Sequence, residues 1–135
     1  MLGRWLIFAG LAGYLLTAFH PAPAPVVHEV QMGARGGNRF EPATTTARAG
    51  DTVRFINGNG GPHNVQFFPD SIRDPARDLL DRAMPGEKLG WLSSQLFLDR
   101  NEVYDIVLPK LAPGRYPFFC LPHAASMTGA IVVAP

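Results

Sequence analysis

Short runs of alternating polar and apolar residues, each closed by glycine, proline or asparagine, limit what this chain can fold into. The 14 Gly and 13 Pro among 135 residues are spread between apolar runs, a pattern of short strands joined by turns rather than of disorder. Residues 26–32 read as a first strand, followed by a turn-rich stretch at 33–38. Phe40-Glu41-Pro42 and Thr44-Thr45-Thr46 read as an extended edge, where proline is tolerated. After the turn Ala49-Gly50-Asp51, residues 52–57 alternate as a half-buried strand does. Residues 57–62, Asn-Gly-Asn-Gly-Gly-Pro, form a loop. Residues 63–67 then alternate again, placing His63, Val65 and Phe67 on one face.

The middle of the chain breaks this pattern. Ala76, Leu79, Leu80 and Ala83 recur at helical spacing between Asp74-Pro75 and Pro85-Gly86, which predicts a short helix over 75–84. Residues 86–100 read as an irregular insertion with room for one strand. Further strands are expected at 101–108, where Val103, Asp105 and Val107 alternate, at 115–120 and at 127–133. Phe55, Phe67, Phe118 and Phe119 are expected in the core. The fold class is all-β, a Greek-key β-sandwich with one short helix in an insertion.

The N-terminus reads as a targeting segment. Arg4 precedes an uncharged run over 5–19, 15 residues long. That is short for a span of about 20 residues and close to a secretory signal. Ala22-Pro23-Ala24 offers small residues at cleavage offsets, whereas Pro25 disfavours cleavage. Two readings therefore stand for residues 1–24: a cleaved signal, or a retained membrane anchor with residues 21–25 as a stiff Pro/Ala spacer. Both place the domain, residues 25–135, outside the cytoplasm, periplasmic or otherwise extracytoplasmic. Beyond residue 24 the 11 basic and 11 acidic residues cancel. This leaves no basic stripe for nucleic acid, and long-range steering of a partner is weak. A single domain and a monomer are expected.

One cysteine is present, so no disulfide forms within the chain, and in an oxidising compartment the thiol needs another reason to exist. A lone cysteine is more often a small buried hydrophobe, and a lone methionine core filler. Here, however, Cys120, His123 and Met127 follow in order within one short loop, and His63 opens a remote strand. Two imidazoles, a thiolate and a weak axial thioether are the ligand set of a blue-copper electron-transfer site. Such a set suits both copper oxidation states without rearrangement, provided a rigid scaffold holds it. Pro122 stiffens the turn and Leu121 helps to exclude water. His20 and His28 read as non-ligands, and Met32 and Met84 carry no positional argument.

The stretch at 49–57, the Pro62-His63-Asn64-Val65 element and residues 116–129 resemble the plastocyanin/azurin family of cupredoxins over roughly residues 26–135. The resemblance implies an eight-stranded sandwich holding one copper ion. It implies that His63 and His123 bind through Nδ1, Cys120 through its thiolate and Met127 axially. It further implies that Asn64 ties the ligand loops together. One departure stands out: plastocyanin-like loops place four residues between His and Met, and azurin-like loops place four between Cys and His. This chain has two between Cys120 and His123, then three before Met127, so the subfamily stays open.

The expected function is electron transfer by one type 1 copper cycling between Cu(I) and Cu(II), with the edge of His123 as the electron port. Gly60, Gly61, Pro62, Leu121, Pro122, Ala124 and Ala125 would form a flat apolar patch for brief docking of a redox partner protein. The alternative is copper binding and delivery without a redox role, although the Met-rich or His-rich tracts of such carriers are lacking. An enzyme is not expected. Four histidines cannot build a further three-copper centre, a binuclear site needs a second loop cysteine, and a metal-bound cysteine is no free nucleophile. Zinc would accept the His and Cys ligands, but the thioether favours copper.

Overall fold

The computed structural model describes residues 20–135, so most of the expected targeting segment lies outside the described residues. Eight strands form among the described residues: β1 Val27–Met32, β2 Phe40–Glu41, β3 Thr44–Ala47, β4 Thr52–Asn57, β5 Gln66–Phe67, β6 Val103–Val107, β7 Gly114–Phe119 and β8 Thr128–Val133. One helix, α1, spans Ala76–Ala83. The strands make two four-stranded sheets, ordered β2-β1-β4-β6 and β3-β8-β7-β5. This is the two-sheet sandwich with one short helix expected from the turn-punctuated pattern.

Pro42 and Ala43 join β2 at the edge of one sheet to β3 at the edge of the other. β1 and β4 can therefore pair parallel, as can β3 and β8, while every other neighbouring pair is antiparallel. Pro117 stands within β7 opposite Ala130, a place where a ladder donor is normally required. Ala130 turns its N–H away from β7 to Ala43 O at 2.9 Å, and the Pro117 carbonyl accepts from Phe68 N–H at 3.1 Å. The missing N–H of Pro117 therefore faces the side where β5 has already ended.

Phe118 forms the centre of the core. Phe40, Phe55 and Phe67 meet its ring edge-to-face, with centroids 4.8, 5.3 and 5.9 Å away. Burying each such side chain is worth roughly 1.5–3 kcal/mol. Phe119 departs from expectation. Period-two alternation turns it to the other face of β7, where it is half-buried and packs on Phe68 at 4.4 Å. β6 likewise buries Tyr104 and Ile106, leaving Val103 and Val107 exposed. Along α1, Leu80 is fully buried and Ala76, Leu79 and Ala83 pack beside it.

The insertion contains no strand among the described residues. It instead makes isolated bridges from Phe97 to His63 and from Ser93 to Gln66. Leu92 O accepts from Phe67 N–H at 2.9 Å, and Ser94 N–H donates to Val65 O at 2.9 Å. Residues 92–97 thus do along 63–67 the work of a strand. This explains why β5 is only two residues long, shorter than the alternation over 63–67 suggests.

Candidate metal centre

β7 delivers Cys120 to the end of the sandwich, where the ladder to β8 breaks for a loop. Leu121–His123 form a single 3-10 turn with Pro122 near its start, because proline fixes φ at a helical value and needs no donor there. His123 N–H donates to Cys120 O at 3.0 Å, Met127 N–H to His123 O at 2.9 Å, and Cys120 N–H to Met127 O at 3.0 Å. These bonds close the loop with Cys120 and Met127 across its base, both fully buried, and His123 at its half-exposed tip.

His63 reaches the same point from the other side. Its backbone is pinned by Phe97, donating to Phe97 O at 3.1 Å and accepting from Phe97 N–H at 2.8 Å. Its ring is fully buried. Cys120 Sγ lies 3.7 Å from His63 Nδ1 and 3.5 Å from His123 Nδ1. The three donor atoms all fall within 4.8 Å of one another. Bonds of roughly 2.0 Å to nitrogen and 2.3 Å to sulfur leave ligand atoms about 3.5–3.8 Å apart on a common ion. The spacing therefore fits one small metal ion.

The protonation chemistry agrees. Burial, reinforced by the neighbouring His123, lowers the His63 pKa and favours the neutral imidazole a metal requires. His63 Nε2 lies 2.9 Å from Asn59 Oδ1. An amide oxygen only accepts, so Nε2 carries the proton and Nδ1 presents its lone pair to the site. Burial pushes the Cys120 thiol up, while the backbone N–H groups of Asn64 and His123 pull it down. A bound cation at that position deprotonates such a thiol.

Asn64, expected to tie the ligand loops together, is fully buried. Its Oδ1 accepts from Leu121 N–H at 2.7 Å, tying the His63 segment to the ligand loop. Its Nδ2 donates to Ser93 Oγ at 3.2 Å, tying both to the insertion. Three supporting residues escaped the sequence reading. Asn57, fully buried, donates to Gly61 O at 3.0 Å and accepts from Gly60 N–H at 3.0 Å, shaping the loop before His63. Asn59 orients the His63 ring, and Ser94 Oγ caps Val65 N–H at 3.0 Å. Their only signal is that Asn and Ser organise loops, which says nothing of what a loop holds.

The residues expected to form a docking patch differ in exposure. Pro62, Leu121, Pro122, Ala124 and Ala125 are exposed, and Gly60 and Gly61 are half-buried. In the insertion, Leu96 and Leu98 are 37% and 59% exposed, on either side of the buried Phe97. Of the other histidines, His28 stands apart from the cluster, paired with Asp51 at 3.0 Å. Met32 and Met84 are core residues.

A two-sheet sandwich with two imidazoles and one thiolate converging at its end defines a mononuclear metalloprotein of cupredoxin type. Residues 28–134 match the family of copper binding proteins described as plastocyanin/azurin, and the chain belongs to that family. Its cofactor is accordingly one copper ion. It is 35% identical over 126 residues to plastocyanin of Prochlorothrix hollandica, covering 91% of this chain and 84% of that protein. It is 34% identical over 115 residues to the chloroplastic plastocyanin of Oryza sativa subsp. indica, covering 83% of this chain and 66% of that protein. Among solved structures, a mutant fern plastocyanin in oxidized and reduced forms matches with a TM-score of 0.58 at 28% identity. That match covers 78% of this chain and 99% of the fern chain. Among the described residues, no helix is long and apolar enough to cross a membrane.

Proposed function

We propose that this protein carries single electrons between partner proteins outside the cytoplasm, using one type 1 copper ion held by His63, Cys120, His123 and Met127. It is not an enzyme in this reading. The observation that carries the reading is the convergence of two imidazole Nδ1 atoms on a buried thiol within 4.8 Å, with one ring reaching the surface. When bound, copper supplies a one-electron couple between Cu(I) and Cu(II). The chain's own residues do the rest. The loop bonds between Cys120, His123 and Met127, and the Asn64 bridge, hold the donors in one geometry, so little rearrangement accompanies the change of charge. Met127, buried at the base of the loop, would offer its thioether sulfur to the ion as a weak fourth ligand. Phe118 and its aromatic neighbours keep the interior dry. His123, half-exposed, is the path for the electron, and the apolar surface of Pro62, Leu121, Pro122, Ala124 and Ala125 suits a partner that docks briefly and leaves quickly.

The near-balance of charge is consistent with docking that depends little on ionic strength. The composition of residues 1–24 supports export, by a cleaved signal or with a tether, and a monomer is the working state. Voltammetry of the copper-loaded protein tests the redox role. A reversible one-electron wave that persists through repeated cycles is expected. Irreversible loss of copper on reduction, with rapid transfer of the ion to a competing chelator, would instead make the protein a copper carrier.

A further inference from the structure

Beside the metal centre, and separate from it, a cavity of about 490 Å³ opens between the 33–36 loop and Arg100. Gly33, Arg35, Gly36, Glu41, Asn59 and Arg100 line it. Its charge is one-sided. Arg35 is held by Glu41 at 2.6 Å, which neutralises the one carboxylate of the lining. Arg100 forms no ion pair or side-chain hydrogen bond among the described residues. Asn59 directs its oxygen inward, accepting from Gly61 N–H at 2.8 Å and from His63 Nε2 at 2.9 Å. Its Nδ2 sits against Gly33, where an added Cβ would come within 2.3 Å, and donates to no protein acceptor among the described residues. The loop is tightly curled: Gly33, Arg35 and Gly36 take φ of 74°, 51° and 69°. For an arginine this left-handed conformation is costly and is typical of segments shaped for a ligand.

We propose that this cavity binds a small oxyanion, a carboxylate or phosphate group, between the Arg100 guanidinium and the Asn59 amide. We further propose that the site is linked to the metal centre through Asn59. Planar guanidinium forks suit both anions. One amide would then face the anion with Nδ2 and the copper-binding imidazole with Oδ1. An occupant polarises that amide and strengthens the bond its oxygen makes with His63. The linkage rests on the copper reading above; the binding does not.

The test uses the full chain in its diamagnetic Cu(I) form, titrated with sodium phosphate and sodium acetate in parallel nitrogen–proton spectra, against sodium chloride at equal ionic strength. Saturable shifts confined to the Asn59 amide, Gly33, Gly36 and Arg100 are expected with the oxyanions and not with chloride. The His63 Nε2–H resonance should move along the same curve. Saturation by phosphate alone assigns the site to phosphate groups; saturation by acetate as well extends it to carboxylates, including an acidic partner side chain. Arg100→Gln should weaken binding at least about tenfold while leaving the visible spectrum of the Cu(II) form intact, which separates this result from any failure of the electron-transfer reading. Shifts reproduced by chloride, or binding indifferent to Arg100→Gln, would overturn the site. Binding that leaves His63 unmoved would overturn the linkage.

Discussion

Asn64 holds three segments together with one amide: its own strand, the ligand loop through Leu121 and the insertion through Ser93. Asn64→Ala removes a fully buried amide and leaves the Leu121 N–H and Ser93 Oγ without it, and should cost about 1–3 kcal/mol. Denaturant unfolding of the copper-free protein measures this directly; a change below about 0.5 kcal/mol would mean the amide is not the tie. Gly129 is set by packing. An added Cβ there would come within 2.7 Å of the Phe118 ring and 2.9 Å of Ala43 O. Gly129→Ala should therefore destabilise by about 1–3 kcal/mol through overpacking, read by the same unfolding curve. At this scale His63, Cys120 and His123 were legible because a lone cysteine and two histidines in that order have few other uses. Asn59 was not legible. Asn-Gly pairs announce a turn, and only the folded loop brings that oxygen to the imidazole.

The insertion is an element in its own right. α1 anchors it through Leu80, and its residues 92–97 clamp the backbone of His63 and Val65. Leu80→Ala should cost about 2–5 kcal/mol by leaving a cavity beneath the helix; calorimetric unfolding would show it as a clear drop in Tm. A loss within 0.5 kcal/mol would mean α1 is a surface ornament. Strand periodicity made β1, β4, β7 and β8 readable, and the helical spacing of Ala76, Leu79, Leu80 and Ala83 made α1 readable. What the insertion does was not readable, since its pairing with 63–67 is non-local and made by isolated bridges without a periodic signature. Phe119 shows a second limit: composition marked it as core, whereas alternation about Phe118 turned it outward.

For the molecule as a whole, acid stability turns on Asp51, which joins the start of β1 to the turn before β4. It accepts from Val26 N–H at 2.9 Å and Arg48 N–H at 3.0 Å, and pairs with His28 at 3.0 Å. The His28 hydrogen bond first, then those backbone donors, hold its pKa at about 2 instead of 3.8. A carboxyl depressed in the folded state binds its proton more readily when unfolded, so its contribution is complete above about 4 and lost as pH falls towards 2. The copper-free protein should lose stability on the order of 1–2 kcal/mol through that window. Asp51→Asn should flatten the slope; an unchanged slope would assign it elsewhere. Copper should raise Tm by mass action, since it binds the assembled site and scarcely the unfolded chain.

The central claim is tested most directly by giving the purified protein one equivalent of Cu(II) and recording visible absorption and electron paramagnetic resonance beside Cys120→Ala. An intense blue band with narrow copper hyperfine splitting, absent from Cys120→Ala, is the predicted result. A pale spectrum with ordinary splitting, or one indifferent to the loss of Cys120, would contradict a thiolate-bound type 1 centre and the electron-transfer function built on it.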